Sequence, residues 1–170
     1  PWRAAFFALS SLLPLAGFSH QDGVDLGIRA RAKERGKVVA YLEGPTEAFE
    51  MIDSCCENAL GGMAYFEHFL EKVESGKGLV ELERIVRGWE NADFDELQSV
   101  LDESLKKFPY IYGPLIYERN LKWASVAKEM IAEEIPTLFV VGCLHTVGGA
   151  SFLDGLANEG IRCSYISNGG

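Results

Sequence analysis

Apolar positions along the chain follow two rhythms. Trp2, Phe6, Leu9 and Leu13 fall three and four residues apart, the spacing of one helical face, and Pro1 suits a helix's first turn. The stretch 24–35 reads as a second helix, with Gly36 in the C-terminal cap position. Beyond Thr46, an N-cap residue, the pattern predicts helices over 47–60, 63–75, 79–89 and 94–107, the last capped by Asp93. Breaks are expected at Gly61-Gly62, at 76–78 and near Asn91. Pro114 then opens the best-patterned helix, running to about Glu134, with Leu115, Ile116, Trp123, Val126, Ala127 and Met130 as its apolar stripe.

The second rhythm consists of short, partly β-branched runs at 37–42, 137–141 and 161–166, each of strand length. The last two flank a predicted helix at 149–158, closed by Gly160, and strand, helix, strand in that order forms a parallel βαβ unit. The expected fold is therefore α/β, one domain over residues 1–170. It has a small, mostly parallel sheet of about three strands and a large helical insertion at about 46–110.

Composition agrees with one globular unit: 170 residues, 48% hydrophobic and 24% charged. A formal net charge of −9 opposes the phosphate-neutralising patches that nucleic acid or an anionic membrane surface requires. The apolar stretch 4–18, with Arg3 before it and Leu15-Ala16-Gly17 near its end, can be compared with a signal peptide; its helical stripe favours a core helix, and it is too short to span a membrane. Cys55, Cys56, Cys143 and Cys163 lack zinc-knuckle or redox spacing and read as free thiols, although Cys143 and Cys163 could meet if their runs are neighbours.

In open parallel sheets, ligands sit beyond the carboxyl ends of the strands, which directs attention to Glu43 and His145. Imidazole serves as a metal ligand or general base and a carboxylate as ligand or proton acceptor. The alternative is a helix-capping histidine and a solvated loop glutamate. Arg119 lies within an apolar stripe, four residues from both Leu115 and Trp123, so its guanidinium needs a carboxylate or a bound anion unless it snorkels to solvent. Asn120 beside it can hydrogen-bond a strand-end loop. His68 reads as a half-exposed helix residue, and His20 follows a helix, so its Gly-x-x-His pattern from Gly17 is taken as chance.

The segment 118–124, Glu-Arg-Asn-Leu-Lys-Trp-Ala, followed by 139–149, Phe-Val-Val-Gly-Cys-Leu-His-Thr-Val-Gly-Gly, resembles the tail of the TraB/PrgY/GumN family. That family includes the TIKI proteases and is related in fold to ChaN and erythromycin-esterase-like proteins. Pro1-Trp2, Asp22-Gly23-Val24-Asp25, Ala32-Lys33 with Gly36-Lys37, and Leu42-Glu43 match in the family's order. The resemblance implies two Gly-x-x-His motifs and, in the TIKI branch, divalent-metal-dependent proteolysis. By position, His145 is the second-motif histidine, Arg119 and Asn120 are the arginine and asparagine of the family's helix, and Glu43 is the glutamate after the middle strand.

The expectations are thus His145, Glu43, Arg119 and Asn120 as catalytic residues, with His145 and Glu43 binding a divalent metal ion of unspecified identity. The substrate would be a peptide or small molecule, in a periplasmic, secreted or cell-surface setting. A peptide- or ligand-binding protein of the pheromone-shutdown type is the alternative. The first motif would precede Pro1, so the matching part is C-terminal, and this chain by itself is expected to be catalytically incomplete. Self-association, or an N-terminal segment, is expected to cover the sheet's open side.

Overall fold

The computed structural model describes residues 3, 4, 7, 10, 12–56 and 59–166. The helical stripe expected on Trp2, Phe6 and Leu9 lies outside them, and α1 is Leu12–Leu15, with Leu12 buried. Helix α2 is Val24–Glu34, ended by Gly36 at φ +63°, a left-handed conformation that side chains disfavour. Next come α3 (Glu47–Cys56), α4 (Ala59–Glu74), α5 (Lys77–Glu90), α6 (Phe94–Lys107) and α7 (Pro109–Tyr112). A π-helical segment, Gly113–Glu118, runs into α8 (Arg119–Ala132), and α9 is Phe152–Asn158.

Local chemistry explains most boundaries. The Asp93 side chain accepts from the Glu96 N–H at the start of α6. Ser151 and Asp154 form a reciprocal capping box that opens α9. Several expected boundaries move: the helix expected over 47–60 ends at Cys56, the one expected from 79 starts at Lys77, and the one expected from 149 starts at Phe152. Gly61-Gly62 does not break α4, because both glycines serve as close-contact points: an added Cβ would meet the Tyr110 ring at 3.2 Å and the Cys56 carbonyl at 3.1 Å, respectively. That packing outweighs a helix-propensity cost of about 1 kcal/mol per glycine. Pro114 lies inside the π-helical segment and does not open α8.

The α/β expectation is overturned. Among the described residues no strand is paired, and neither the parallel sheet nor the βαβ unit forms. The runs at 37–41, 135–142 and 161–166 are single, unpaired segments outside the helices. Leu42, Phe139, Val141 and Ile161 pack against Trp123, Ala124, Ala127, Phe152 and Leu156. The intervening positions face outward, with Leu138 73% and Val38 95% exposed. An alternating pattern reports burial on one face, but it does not supply the neighbouring backbone that a ladder needs. The helices therefore make up the body of the molecule and are not an insertion into a sheet.

Two further clusters complete the core. Ile52, Tyr65, Phe69, Phe108 and Ile111 join α3, α4 and α7, and Leu97, Leu101, Ile116 and Val147 join α6 to the π-helical segment and the loop after 142. That loop is thereby anchored beside α8, the arrangement from which the site is built.

Candidate functional site

Helix α8 starts directly after the π-helical segment, a feature that re-aims side chains by changing the helical phase. Its first turn presents Arg119, Asn120 and Trp123. Asn120 is fully buried, and its Nδ2 donates to the Ala150 carbonyl at 2.8 Å. The close α8–α9 approach behind this bond requires Gly155, where a Cβ would come within 2.8 Å of the Ala124 Cβ.

His145 closes a 3-10 turn, Cys143–His145, that follows Gly142, and is 8% exposed. Its Nδ1 lies 2.7 Å from Asn120 Oδ1. Because the Asn120 amide nitrogen is committed to Ala150, Oδ1 is the acceptor and Nδ1 carries the proton, which leaves the lone pair on Nε2. Burial, and then the neighbouring Arg119, push the imidazole down to about 4, with Glu43 opposing, so the ring is neutral at ordinary pH.

Glu43 follows the first extended run. Arg119 grips it in fork geometry, Nη2 donating to Oε1 at 2.5 Å and Nε to Oε2 at 2.9 Å. Trp123 Nε1 donates to the same Oε2 at 3.1 Å, and its ring lies 4.5 Å from both the guanidinium carbon and the His145 ring centre. The Gly44 N–H donates to Glu47, which pairs with Lys122 of α8, so the turn after Glu43 is tied to the same helix twice. Arg119 Nη1 also donates to the Leu115 carbonyl at 3.0 Å and lies 3.5 Å from His145 Nε2.

The structure therefore brings Glu43, Arg119, Asn120 and His145 into one contiguous cluster. Arg119 meets the carboxylate that its place on an apolar stripe demanded. Sequence reasoning assigned Trp123 to the stripe alone. Its signal was the i, i+4 relation to Arg119 together with a buried indole N–H, which needs an acceptor. His68 is elsewhere, its Nδ1 2.8 Å from Lys107 Nζ and its ring 5.0 Å from Phe108. His20 begins a 3-10 turn capped by Ser19. Cys55, Cys56, Cys143 and Cys163 are free, and burial pushes the Cys143 thiol up, which disfavours a thiolate nucleophile.

A divalent cation needs about three protein donors with open lone pairs. Both Glu43 oxygens already accept from Arg119, and His145 Nε2 faces the same guanidinium. Among the described residues no group of three or more His, Cys, Asp or Glu gathers in metal-binding geometry. As arranged, these residues do not fit a divalent metal.

Two surface grooves lie off this cluster. One of about 490 Å³ is bounded by Leu13, Phe18, Leu26, Leu82 and Val86. The other, about 370 Å³, is formed by Phe94, Gln98 and Leu153 with Thr146, Val147 and Gly148, the residues that follow His145. No described helix is long and apolar enough to cross a membrane.

Comparison with curated proteins and with solved structures returned no match. The model of the TraB/PrgY/gumN family matches residues 1–164. That span contains the whole cluster, from Glu43 to His145, and the chain belongs to the TraB/PrgY/gumN family.

Proposed function

We propose that the chain carries a hydrolytic site for a carbonyl substrate, a peptide bond being the class suggested by family membership, with His145 as proton acceptor. The supporting observation is the Asn120–His145 bond, which fixes the Nδ1–H tautomer and leaves the Nε2 lone pair beside a guanidinium. In the reaction, water displaces the long 3.5 Å Nη1–H contact from the Nε2 lone pair, and Nε2 takes a proton from that water while its oxygen attacks the carbonyl carbon. The carbonyl π pair moves to oxygen. The resulting oxyanion is met by Arg119, four of whose five N–H groups are directed at Glu43, Leu115 and His145, leaving one on Nη2. Collapse expels the amine, which recovers the proton from Nε2. Glu43 and Trp123 hold the guanidinium in place, and Asn120 holds the ring.

A base whose pKa is near 4 is almost always in its acting form but is intrinsically weak. The expected profile is flat from about pH 5 to 8 and falls below that range. Amine release from a peptide library measures the activity, and His145→Gln should lower kcat by about 10²–10⁴-fold. Equal turnover by the variant would remove His145 from the chemistry.

The closure of the cluster on itself favours a second reading, a peptide- or ligand-binding protein without turnover. Tight peptide binding retained in His145→Gln, with no product from either protein, is the outcome that selects it.

A further inference from the structure

Among the described residues, Lys72 pairs with Glu81, Arg84 lies between Glu96 and Glu103, and Arg119 lies between Glu43 and His145. The first two join helices to one another through carboxylates, with Ser99 beside Arg84 and the Phe69 ring beneath Lys72. Arg119 differs in that one guanidinium engages both residues that the family resemblance offers as metal ligands. It forks onto the two Glu43 oxygens and turns Nη1 toward the His145 nitrogen that carries the lone pair.

We propose that Arg119 is the resident cation of this site and occupies the place between Glu43 and His145 that a divalent ion would take, so that guanidinium and metal exclude each other. The inference rests on the cluster being the functional site, not on its being hydrolytic. Three fixings keep the guanidinium from withdrawing: the Glu43 fork, the bond to the Leu115 carbonyl at 3.0 Å, and the Trp123 ring at 4.5 Å. An ion approaching Nε2 would meet a full positive charge in a partly buried setting, where charges are poorly screened. It would also find both Glu43 oxygens already in use. The site's ligand chemistry follows from this. An arginine offers hydrogen-bond donors in a plane and recognises an oxygen acceptor such as a carbonyl or carboxylate, whereas a metal would take water or substrate into its coordination sphere.

The test is titration of the full chain with Zn²⁺ and with Mn²⁺ by calorimetry, beside Arg119→Gln, which keeps a side chain able to bond Glu43 but removes the charge. Wild type should show no binding that depends on His145, and His145→Ala should leave its isotherms unchanged. Arg119→Gln, whose amide oxygen supplies a third donor beside Glu43 and His145, should bind Zn²⁺ at least about tenfold more tightly than wild type, and adding His145→Ala should abolish the gain. NMR of the His145 ring nitrogens in the wild-type protein gives a readout that needs no variant to fold: the Nδ1–H tautomer should persist unchanged at excess metal. The proposal is overturned if metal shifts the wild-type ring, or if folded Arg119→Gln gains no affinity. Neither result bears on peptide turnover, so failure here and failure of the hydrolytic reading remain separable.

Discussion

The helical block at 47–112 and the extended runs at 37–41, 135–142 and 161–166 are built from similarly apolar stretches but reach different degrees of closure. In the block, Leu97, Leu101 and Ile111 are essentially inaccessible, and each helix satisfies its own backbone. In the runs, Phe139 and Val141 alternate onto α8 and α9, Leu42 and Ile161 pack there from the end of one run and the start of another, and Val38, Leu138 and Ile166 stay outside. A helix is a closed hydrogen-bonding unit once its residues are chosen, whereas an extended segment always depends on another segment. The site lies on the seam between the two regions: Glu43 and His145 follow extended runs, and Arg119, Asn120 and Trp123 come from a helix.

The sharpest test of this contrast is truncation on either side of it. Leu101→Ala, at a position with no exposure, should cost about 2–5 kcal/mol in urea unfolding. Leu138→Ala, 73% exposed, should change stability by less than about 0.5 kcal/mol. A comparable cost at Leu138 would mean that the outer face is covered in solution, and pairing with a second copy across a two-fold axis is then the simplest arrangement. Light scattering at tens of micromolar, on wild type and on Leu138→Ala, would show whether that cover is a second chain.

At the seam itself, Arg119→Ala should cost about 2–4 kcal/mol, because it strands Glu43 in a partly buried setting. A shift in thermal denaturation no larger than that of an exposed arginine, such as Arg3→Ala, would break the claim that burial gives this pair its weight. Much of the cluster was legible beforehand. Arg119 on an apolar stripe announces a partner, and a polar residue just past an extended run is a natural candidate. The π-helical segment and the role of Trp123 were not legible in the same way, because both depend on how the helix phase shifts at 113–118. Helices α2, α5 and α6 were readable to within a residue or two from period and caps. The sheet was misread, since a short, β-branched apolar run is a local signal and strand pairing is not.

The two described histidine rings compare the regions by pH. His145 lies at the seam and His68 in the block, and burial is the first cause that pushes each down to about 4. Nearby cations act in the same direction, Arg119 on the first and Lys72 and Lys107 on the second. With the folded pKa below the unfolded one, the unfolded chain takes up protons first as pH falls. Stability from these groups is therefore complete above the unfolded value near 6.5 and is lost between about 6.5 and 4. Going from pH 7 to 6 should cost about 0.7 kcal/mol for each histidine that stays neutral in the native chain. His68→Gln should remove that share of the slope, and His145 ring resonances should titrate with a midpoint near 4. A midpoint near 6.5 would mean that the seam is wetter than its geometry implies.

The smallest expected effect tests whether burial, rather than the existence of an ion pair, separates the seam from the surface. Lys128 Nζ reaches Glu159 at 2.7 Å, tying α8 to α9 over a distance close to that of the Arg119–Glu43 contact. The side chains of Lys128 and Glu159 are 53% and 34% exposed, however, against 14% and 19% for Arg119 and Glu43. Water competes for both charges of the outer pair, and salt screens them. The lysine also gives up rotamer freedom without gaining a second, parallel bond. A double-mutant cycle of Lys128→Ala and Glu159→Ala should return a coupling within about 0.5 kcal/mol that fades further in 1 M salt. The same cycle on Arg119 and Glu43 should return a larger coupling that is nearly indifferent to salt. Equal couplings, or equal salt dependence, would show that the seam is as open to solvent as the outer surface, and the case for a preorganised site on α8 would fall with it.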